Sequence, residues 1–546
     1  MPRKYYYVLL ISLSLFVNTH TFASTKKHFY NNGEVLNTVE INDSTANGPV
    51  LTNSDYYGYA VENMGDLDGD QIQDLVVGAR LDDNGGNGRG AVHINFMNRD
   101  GSVKSTVEIN DGTANGPVLI NSDYYGTSAG NLGDLDGDGI NDLAVGASFD
   151  DAGGTSRGAV HIHFMSMDGS VKSSVEINDT TVNGPTLANN DQYGDSLEGI
   201  GDLNGDGIPD LAVGSKGDNG GTDRGSMFLH FLNRDGSIKS TVEVNDSTLN
   251  GPELSDSDFY GCSITNLGDL NSDGILDLAV GAFGDSTGGT SRGAVYIHFM
   301  STDGSIKSTV EINDETTNGP ELSDSDYYGF SIANIGDLNG DKVQDLAIGA
   351  RLDDNGGTSR GAVHINFMNR DGSVINTIEI NDGTENGPVL ADTDIFGQSV
   401  AYLGDLNNDG IQDLTVGAFG DDNGGTDRGA VHILFMKPFY TLTFLKDTSC
   451  KDREPEETTW LQLAPKDNGM YLTWTQYSSD YVDIRIDDGT GSYPWELDKT
   501  KNDGHEFLPN VASWQKIKVR GINGCREGDF SAEVSYSSYP IGWYNE

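Results

Sequence analysis

The stretch that decides the fold is Asp66-Leu67-Asp68-Gly69-Asp70-Gln71-Ile72-Gln73-Asp74, an acidic loop of nine residues. Positions 1, 3, 5 and 9 of this loop are aspartate, and position 7 is isoleucine. Equivalent loops begin at Asp134, Asp202, Asp269, Asp337 and Asp405, with spacings of 68, 68, 67, 68 and 68 residues. A nearly constant period of this length indicates six copies of one structural unit.

Each unit has the pattern of four short strands. In the first copy, Tyr57-Gly58 precedes the loop, and the runs Val76–Ala79, Ala91–Phe96 and Val103–Ile109 follow it. Runs this short, rich in β-branched residues and bounded by Gly and Asp, predict strands rather than helices. Asp100-Gly101 lies between the third and fourth strands and tolerates the positive φ of a tight hairpin. The 72 glycines of this 546-residue chain agree with many tight turns.

An unpaired strand at each end of the array predicts that the units close into a ring. Residues 33–43 align with residues 101–111, so they form a fourth strand without a unit of its own. The sixth unit ends at Phe435 and has no fourth strand. We expect the N-terminal strand to pair with the third strand of the last unit, because this removes both exposed edges. The predicted fold class is an all-β propeller of six four-stranded blades.

The six acidic loops have the donor pattern of a cation site. Positions 1, 3, 5 and 9 are always Asp or Asn, and crowded carboxylates repel one another unless a hard cation lies among them. Ca²⁺ prefers six to eight oxygen ligands, and position 7 can offer its backbone carbonyl. Mg²⁺ fits less well because it retains its waters. An EF-hand loop would need a glutamate at position 12, where the first copy has Val77.

The sequence therefore predicts about six bound Ca²⁺ ions, with five ligand residues in each loop. A plain acidic turn is the alternative for a single loop, but six copies in register favour a metal site. The predicted ligands are Asp66, Asp68, Asp70, Ile72, Asp74, Asp134, Asp136, Asp138, Ile140, Asp142, Asp202, Asn204, Asp206, Ile208, Asp210, Asp269, Asn271, Asp273, Ile275, Asp277, Asp337, Asn339, Asp341, Val343, Asp345, Asp405, Asn407, Asp409, Ile411 and Asp413.

The last repeat contains Phe396-Gly397-Gln398-Ser399-Val400, then Gly404 to Gly410, then Asp413-Leu414-Thr415-Val416-Gly417-Ala418. This phrase resembles the FG-GAP repeat of integrin α-chain propellers and their bacterial relatives, and the resemblance covers residues 33–436. The chain departs from it by having Tyr-Gly in most copies, no Pro after Gly-Ala, and six units where integrins have seven. The resemblance implies an FG-GAP β-propeller with calcium on one face.

The loops that join strand two to strand three, and one blade to the next, should lie on the face opposite the acidic loops. In the first unit they are residues 80–90 and 110–125, rich in Asp, Asn, Gly and Tyr. Arg89, Arg360 and Arg428 recur beside acidic pairs such as Asp82-Asp83. A ring of polar loops tipped with tyrosines such as Tyr56 and Tyr57 suits a protein or glycan ligand. Alternatively, each arginine pairs with neighbouring acids and stiffens its own loop.

Histidines recur in the predicted third strand. His161 and His163 share one face of that strand and could offer two ligands to a metal, but packing within the sheet is the favoured interpretation. No nucleophile motif or phosphate-binding loop is present. We therefore predict no catalytic residue and expect that the chain is not an enzyme.

Residues 1–23 have the pattern of a signal peptide, with Arg3-Lys4, an apolar run from Tyr5 to Val17, and Thr21-Phe22-Ala23 before Ser24. We therefore expect a secreted, cell-surface or periplasmic protein. No other apolar stretch is long enough to predict membrane insertion. The formal net charge of −51 argues against nucleic acid and anionic membranes as partners.

The composition changes near residue 437, and all five tryptophans lie beyond Glu457. Alternating runs such as Tyr471–Trp474 and Tyr481–Ile486 predict a small β-sandwich, loosely similar to a fibronectin type III module. Cys450 and Cys525 could form a disulfide there. Cys262 is interpreted as a small buried apolar side chain.

The predicted organisation is a signal peptide at 1–23, the propeller at 24–437 and the sandwich-like domain at 438–546. The leading hypothesis is a calcium-binding adhesion or ligand-binding module for an extracellular protein or glycan. A purely structural extracellular scaffold is one alternative, and a polysaccharide-active enzyme with an unrecognised site is another. The pattern leaves the oligomeric state open.

Overall fold

Six four-stranded antiparallel sheets make up most of the fold. The structure is a computed structural model that describes residues 33–217 and 221–437 with their side chains, and elsewhere only the backbone of strands between 29 and 535. We call the sheets blades 1 to 6 in chain order and number the strands of each blade from 1 to 4. The described residues contain no helix.

All six blades have the same strand order. The first strands are Tyr57–Gly65, Tyr125–Gly133, Tyr193–Gly201, Tyr260–Gly268, Tyr328–Asn334 and Phe396–Gly404. The second strands are Asp74–Ala79, Asp142–Ala147, Asp210–Ser215, Asp277–Ala282, Leu346–Ala350 and Asp413–Ala418. The third strands are Ala91–Met97, Ala159–Met165, Ser226–Leu232, Ala294–Met300, Ala362–Met368 and Ala430–Met436. The fourth strands of blades 1 to 5 are Val103–Ile109, Val171–Ile177, Ile238–Val244, Ile306–Ile312 and Val374–Ile380.

The fourth strand of blade 6 comes from the N-terminal part of the chain. The strand Val35–Ile41 pairs antiparallel with the third strand of blade 6, with Val35 opposite Met436 and Ile41 opposite Val431. This pairing confirms the predicted closure. It covers the edge strand of blade 6 and links residues almost 400 positions apart in the sequence.

The first strands surround the propeller axis. Residues from all six first strands line one central channel. Hydrogen bonds connect neighbouring blades at this radius: Ser331 Oγ donates to the Gly397 carbonyl oxygen at 2.9 Å, and Ser399 Oγ donates to that of Gly58, also at 2.9 Å. The second of these bonds joins blade 6 to blade 1, so the ring is closed at its centre as well as at its rim.

Two glycines of the repeat meet where adjacent blades touch. One belongs to the Tyr-Gly or Phe-Gly dipeptide of the first strand, and the other to the Gly-Ala or Gly-Ser dipeptide of the second strand. A Cβ atom on Gly349, in the second strand of blade 5, would lie 2.0 Å from the carbonyl oxygen of Gly397 in blade 6. The other five second strands have a glycine in the same relation to the next blade. The repeat therefore needs both glycines because two backbones approach each other too closely for a side chain.

The hydrophobic core is divided into six clusters between adjacent blades. One cluster packs Val363 and Ile365 of blade 5 against Val416 and Leu414 of blade 6, all fully or almost fully buried. Cys262 of the first strand of blade 4 is also buried and free, which confirms its interpretation as a small apolar side chain.

Buried polar pairs join the first and third strands within a blade. The hydroxyl of Tyr193 lies 2.7 Å from Nε2 of His230, and burial lowers the pKa of this histidine to about 3, which keeps its ring neutral. In blade 1 the equivalent tyrosine hydroxyl accepts a hydrogen bond from Asn95. Blade 6 has Phe396 and Leu434 at the two positions. The hydroxyl and its partner are thus both present or both absent.

We expect Tyr193→Phe to destabilise the propeller by about 1–3 kcal/mol, because Nε2 of His230 loses its partner inside the core. The double variant Tyr193→Phe/His230→Leu reproduces the pair of blade 6 and should recover to within about 1 kcal/mol of the natural protein. Urea unfolding of both variants tests this. If the single and double variants lose the same free energy of unfolding, the hydroxyl and the imidazole do not stabilise the fold as a pair.

The predicted tight turn between strands three and four is present, but only its glycine has positive φ. Gly101 has a φ of 79°, but Asp100 does not have positive φ. Its carboxylate instead accepts hydrogen bonds from the backbone and hydroxyl of Ser102. The turn spans Asn98 to Ser102, since the amide of Asn98 donates to the carbonyl of Ser102 at 2.8 Å.

The chain divides into two compact units, and the propeller lies within Phe29–Phe439. Outside the propeller, the described backbone is again extended. The strands near and beyond this boundary are Phe29–Tyr30, Phe439–Thr443, Trp460–Lys466, Gly469–Trp474, Tyr481–Ile486, Trp495–Lys501, His505–Pro509, Lys516–Ile522 and Val534–Ser535. Gly469–Trp474 pairs with Trp460–Lys466 and His505–Pro509, and Tyr481–Ile486 pairs with Trp495–Lys501 and Lys516–Ile522. The predicted signal peptide and the Cys450–Cys525 pair lie outside the described residues.

Candidate metal loops and the opposite face

The acidic loops join strands one and two of each blade at one face of the propeller. Position 9 is the most buried ligand candidate: Asp74 begins the second strand and is 1% exposed. Its carboxylate accepts the backbone amides of Leu67 at 3.0 Å and Met97 at 3.1 Å. The same arrangement recurs in blades 2, 3, 5 and 6. In blade 4, Asp277 accepts the amide of Asn271, one position later in the loop, and that of Met300, so position 9 fixes every loop to the end of the third strand.

The remaining positions wrap the loop around its own carboxylates. In blade 2, Asp134 accepts the amides of Asp138 at 2.8 Å and Gly139 at 2.9 Å. Asp138 in turn accepts the amide of Ile140 at 3.1 Å. The Ile140 side chain packs against the interblade core, which leaves its backbone in the loop.

Carboxylate oxygens converge in the two loops that have aspartate at position 3. One oxygen each of Asp134, Asp136 and Asp142 lie within 4.8 Å of one another, and the same holds for Asp66, Asp68 and Asp70. The other four loops have asparagine at position 3, which offers a neutral amide oxygen instead. Every predicted ligand residue thus lies in its loop or at the start of the next strand.

Burial at position 9 disfavours the ionised carboxylate. Desolvation raises the pKa of Asp74 to about 7 and that of Asp413 to about 8, although both accept backbone amides. At position 9 of blades 2, 3 and 4 the pKa is raised to about 6 for the same reason. A cation among the loop oxygens would favour the charged form and oppose this shift.

Lysines lie beside four of the acidic loops, which was not predicted from the sequence. In blade 1, Lys104 Nζ contacts the carboxylates of Asp68 and Asp70, each at 2.5 Å. Lysines of the fourth strands of blades 2, 3 and 4 contact position 5 in the same way. Blades 5 and 6 have Ile375 and Leu36 there. The Lys-Ser pair that recurs in the fourth strands was the sequence pattern from which these contacts could have been predicted.

Arginines on the opposite face pair with acids, but not with the predicted ones. Arg360 Nη1 donates to Asp382 at 2.6 Å and its Nε to Asp392 at 2.9 Å, and both acids belong to the loop that leads to the next blade. Arg89 and Arg428 contact the aspartates equivalent to Asp382, and their Nε atoms donate to asparagines at the position of Asp392. The neighbouring pair Asp353-Asp354 instead accepts backbone amides within its own loop. Each arginine therefore couples two loops instead of stiffening one.

These coupled loops expose apolar side chains. The carboxylate of Asp111 accepts hydrogen bonds from the Arg89 guanidinium and from the backbone amide of Leu119, whose side chain is buried. The preceding Val118 is 82% exposed. Val50 and Val389 are exposed at the equivalent position, after Asn-Gly-Pro, in two other interblade loops. In two further loops the exposed apolar residue, Val182 or Leu249, directly precedes Asn-Gly-Pro.

Aromatic and cationic side chains surround the mouth of the channel on this face. Arg80 lies over the ring of Tyr59 and Arg351 over that of Phe330, both with 3.8 Å between guanidinium carbon and ring centroid. Lys216 pairs with Asp195 at 2.6 Å. These three cations stand after the Gly-Ala or Gly-Ser dipeptide, where the FG-GAP motif has proline.

Two candidates from the sequence have structural roles. Tyr57 is fully buried, so only Tyr56 of that pair remains at the surface, where its ring contacts Phe419. His163 has both ring nitrogens engaged, with the Tyr125 hydroxyl at 2.7 Å and Ser174 Oγ at 2.6 Å. It therefore cannot act with His161 as a metal ligand, which agrees with the packing interpretation.

Within the part of the chain that the structure describes, there is no helix long and apolar enough to cross a membrane.

Comparison with known proteins identifies the repeats. The family model described as FG-GAP repeat matches residues 125–163, 197–227, 263–298, 328–365 and 396–434, which lie in blades 2 to 6. The chain is similar to integrin alpha-11 of Homo sapiens, with 32% identity over 164 residues that cover 30% of this chain and 13% of the integrin. It is also similar to integrin alpha-4 of Xenopus laevis, with 34% identity over 28% of this chain and 14% of that protein.

A third relative, integrin alpha-6 of Gallus gallus, is 34% identical over 28% of this chain and 13% of its own length. The matched part thus spans only about one seventh of these integrins. The family model, the recurring loop and the closed ring of six sheets agree with one another. The chain thus contains FG-GAP repeats, and its six four-stranded sheets close into a β-propeller.

Proposed function

We propose that this chain is a secreted or cell-surface propeller that binds calcium through its six acidic loops and a protein ligand through the opposite face. The oxygen donors of each loop support the first part. Four side chains and one backbone carbonyl supply five oxygens, and waters can complete the six to eight that Ca²⁺ prefers. The twenty aspartates of the six loops would carry the charge that such a cation neutralises.

Calcium in this scheme has a structural role. Each loop connects two adjacent strands and is tied by position 9 to the third, so a bound ion would hold three strands of a blade together. The lysine ammonium groups of blades 1 to 4 offset part of the loop charge without an ion. Blades 5 and 6 lack that lysine, and we expect their loops to depend most on calcium.

The exposed apolar side chains on loops that ion pairs couple together are the observation that supports ligand binding. Val118 stands on a loop held by the Arg89–Asp111 ion pair, and Val50 and Val389 stand on equivalent loops. Loops fixed before binding lose little entropy when a ligand docks, and exposed apolar side chains gain from burial. This chemistry favours a protein ligand over a glycan.

The test is capture of extracellular proteins by the immobilised full chain in calcium, followed by measurement of affinity for the captured protein. We expect the triple variant Val50→Asp/Val118→Asp/Val389→Asp to weaken that affinity at least about tenfold without a change in melting temperature. The matched control is Met167→Asp, since Met167 is 50% exposed on the hairpin beside the acidic loops.

Equal affinities for the triple variant and the natural protein would refute this face as the binding site. Failure to capture any protein, with or without calcium, would favour the alternative of a structural scaffold. The predicted signal peptide supports export, and mass spectrometry of the secreted chain, with Ser24 expected as its first residue, tests that part of the proposal.

A further inference from the structure

A second group of carboxylates, accompanied by an imidazole, lies in blade 5 away from the acidic loop. Asp353 follows the second strand, His364 lies in the third and Glu379 in the fourth. One ligand atom of each residue lies within 4.8 Å of the other two. His364 and Glu379 are directly opposite each other in the strand pairing. We call these residues the blade 5 triad.

Two atoms of the triad are buried and unpaired. Asp353 and His364 are each 1% exposed, and neither Oδ2 of Asp353 nor Nε2 of His364 has a hydrogen-bond partner. The other oxygen of Asp353 accepts the amide of Asn355 at 2.7 Å. An unpaired buried polar atom costs about 1–3 kcal/mol, and native proteins contain few of them. Two such atoms, on residues whose ligand atoms converge with a carboxylate of Glu379, therefore point to a ligand.

The same three residue types recur in three other blades. The equivalent groups are Asp82, His93 and Glu108 in blade 1, Asp150, His161 and Glu176 in blade 2, and Asp421, His432 and Glu40 in blade 6. Nε2 of each of these histidines is also buried without a partner. In every group the glutamate interacts electrostatically with both the aspartate and the histidine.

Blades 3 and 4 show what the position looks like without histidine. Blade 3 has Phe228 and blade 4 has Tyr296, and both side chains are buried. The hydroxyl of Tyr296 donates to Asp285 at 3.3 Å, so the carboxylate there has a partner. Both aromatic residues therefore fit the fold, which indicates that histidine is not required by packing.

We propose that the blade 5 triad binds a divalent transition metal of the zinc class. One imidazole nitrogen with two carboxylates is a donor set typical of Zn²⁺ and its neighbours, whereas Ca²⁺ and Mg²⁺ prefer oxygen alone. A water molecule would complete four-coordination. Asn355 and Asn381 donate side-chain hydrogen bonds to Glu379 and would orient it as an outer shell. Glu379 is half-buried, which gives an ion access from solvent.

The experiment is a zinc titration of the full chain in excess calcium, which occupies any oxygen-only site, with bound zinc counted by elemental analysis after dialysis. We expect the natural protein to retain zinc and His364→Phe to retain one equivalent less. Co²⁺ as the probe should give visible absorption bands that weaken in the same variant. His364→Tyr is the second variant, because Tyr296 shows that tyrosine fits this position.

The matched control is Asp341→Asn, which alters the acidic loop of the same blade and should leave the zinc count unchanged. A natural protein that retains no zinc in excess calcium would overturn the proposal. So would a His364→Phe variant that folds normally and retains as much zinc as the natural protein. Neither result depends on whether the propeller binds a protein ligand.

Discussion

Gly349→Ala is expected to destabilise the propeller by at least about 4 kcal/mol, enough to prevent accumulation of folded protein. The added Cβ would lie 2.0 Å from the carbonyl oxygen of Gly397 and 2.3 Å from Oγ of Ser331. The first contact is with backbone, which no side-chain rotation relieves. Blades 5 and 6 would have to separate at the axis, and a closed ring cannot open one interface without disturbing the others.

Urea unfolding and thermal melting followed by circular dichroism measure this effect. The control is Gly383→Ala in the same repeat, where the nearest atom to the new Cβ is Asn381 Oδ1 at 3.2 Å. This variant should remain within about 1 kcal/mol of the natural protein. A Gly349→Ala protein that melts with its control would show that the two blades do not approach as closely as described.

Removal of calcium is expected to lower the melting temperature sharply. An ion that binds only the folded state contributes RT ln(1 + [L]/Kd), which is about 2.7 kcal/mol for each site at a hundredfold excess over Kd. Six such sites make the total effect the largest expected for any change of conditions. The apo chain also retains its formal charge of −51, whose self-repulsion further opposes folding.

Melting curves in calcium, in a calcium-selective chelator, and in chelator with added NaCl separate these two contributions. Salt screens the general repulsion, so it should restore part of the loss but not the part due to the ions. Asp409→Asn in blade 6 should reduce the calcium effect by about one site. A melting temperature that does not respond to the chelator would refute the assignment of the loops.

The sequence predicted the architecture well because its signals are local and repeated. The period of 68 residues, the acidic loop and the additional strand at 33–43 each follow from one stretch of residues. The pairing of Val35–Ile41 with blade 6 is long-range, but the missing fourth strand left a single partner for it. The six blades follow from the repeat, and the channel and the interblade clusters follow from closure of these blades into a ring.

Contacts between separate segments were harder to predict. Arg360 pairs with Asp382 and Asp392 of a later loop, although Asp353 and Asp354 are closer in sequence. The hairpin register places His364 opposite Glu379, so two of the three residues of the blade 5 triad could be predicted from the position of the turn. Asp353 enters that group only through the path of the preceding loop. For the C-terminal strands, the predicted runs are extended, but alternation alone does not determine which strands pair.

The number of calcium ions bound to each chain tests the calcium-binding propeller most directly. Elemental analysis or native mass spectrometry of the full chain, equilibrated in calcium and then freed of loosely bound ions, measures this number. We expect about six ions, and about five for Asp409→Asn. A chain that folds normally with no bound calcium, or a variant with the same count as the natural protein, would contradict it.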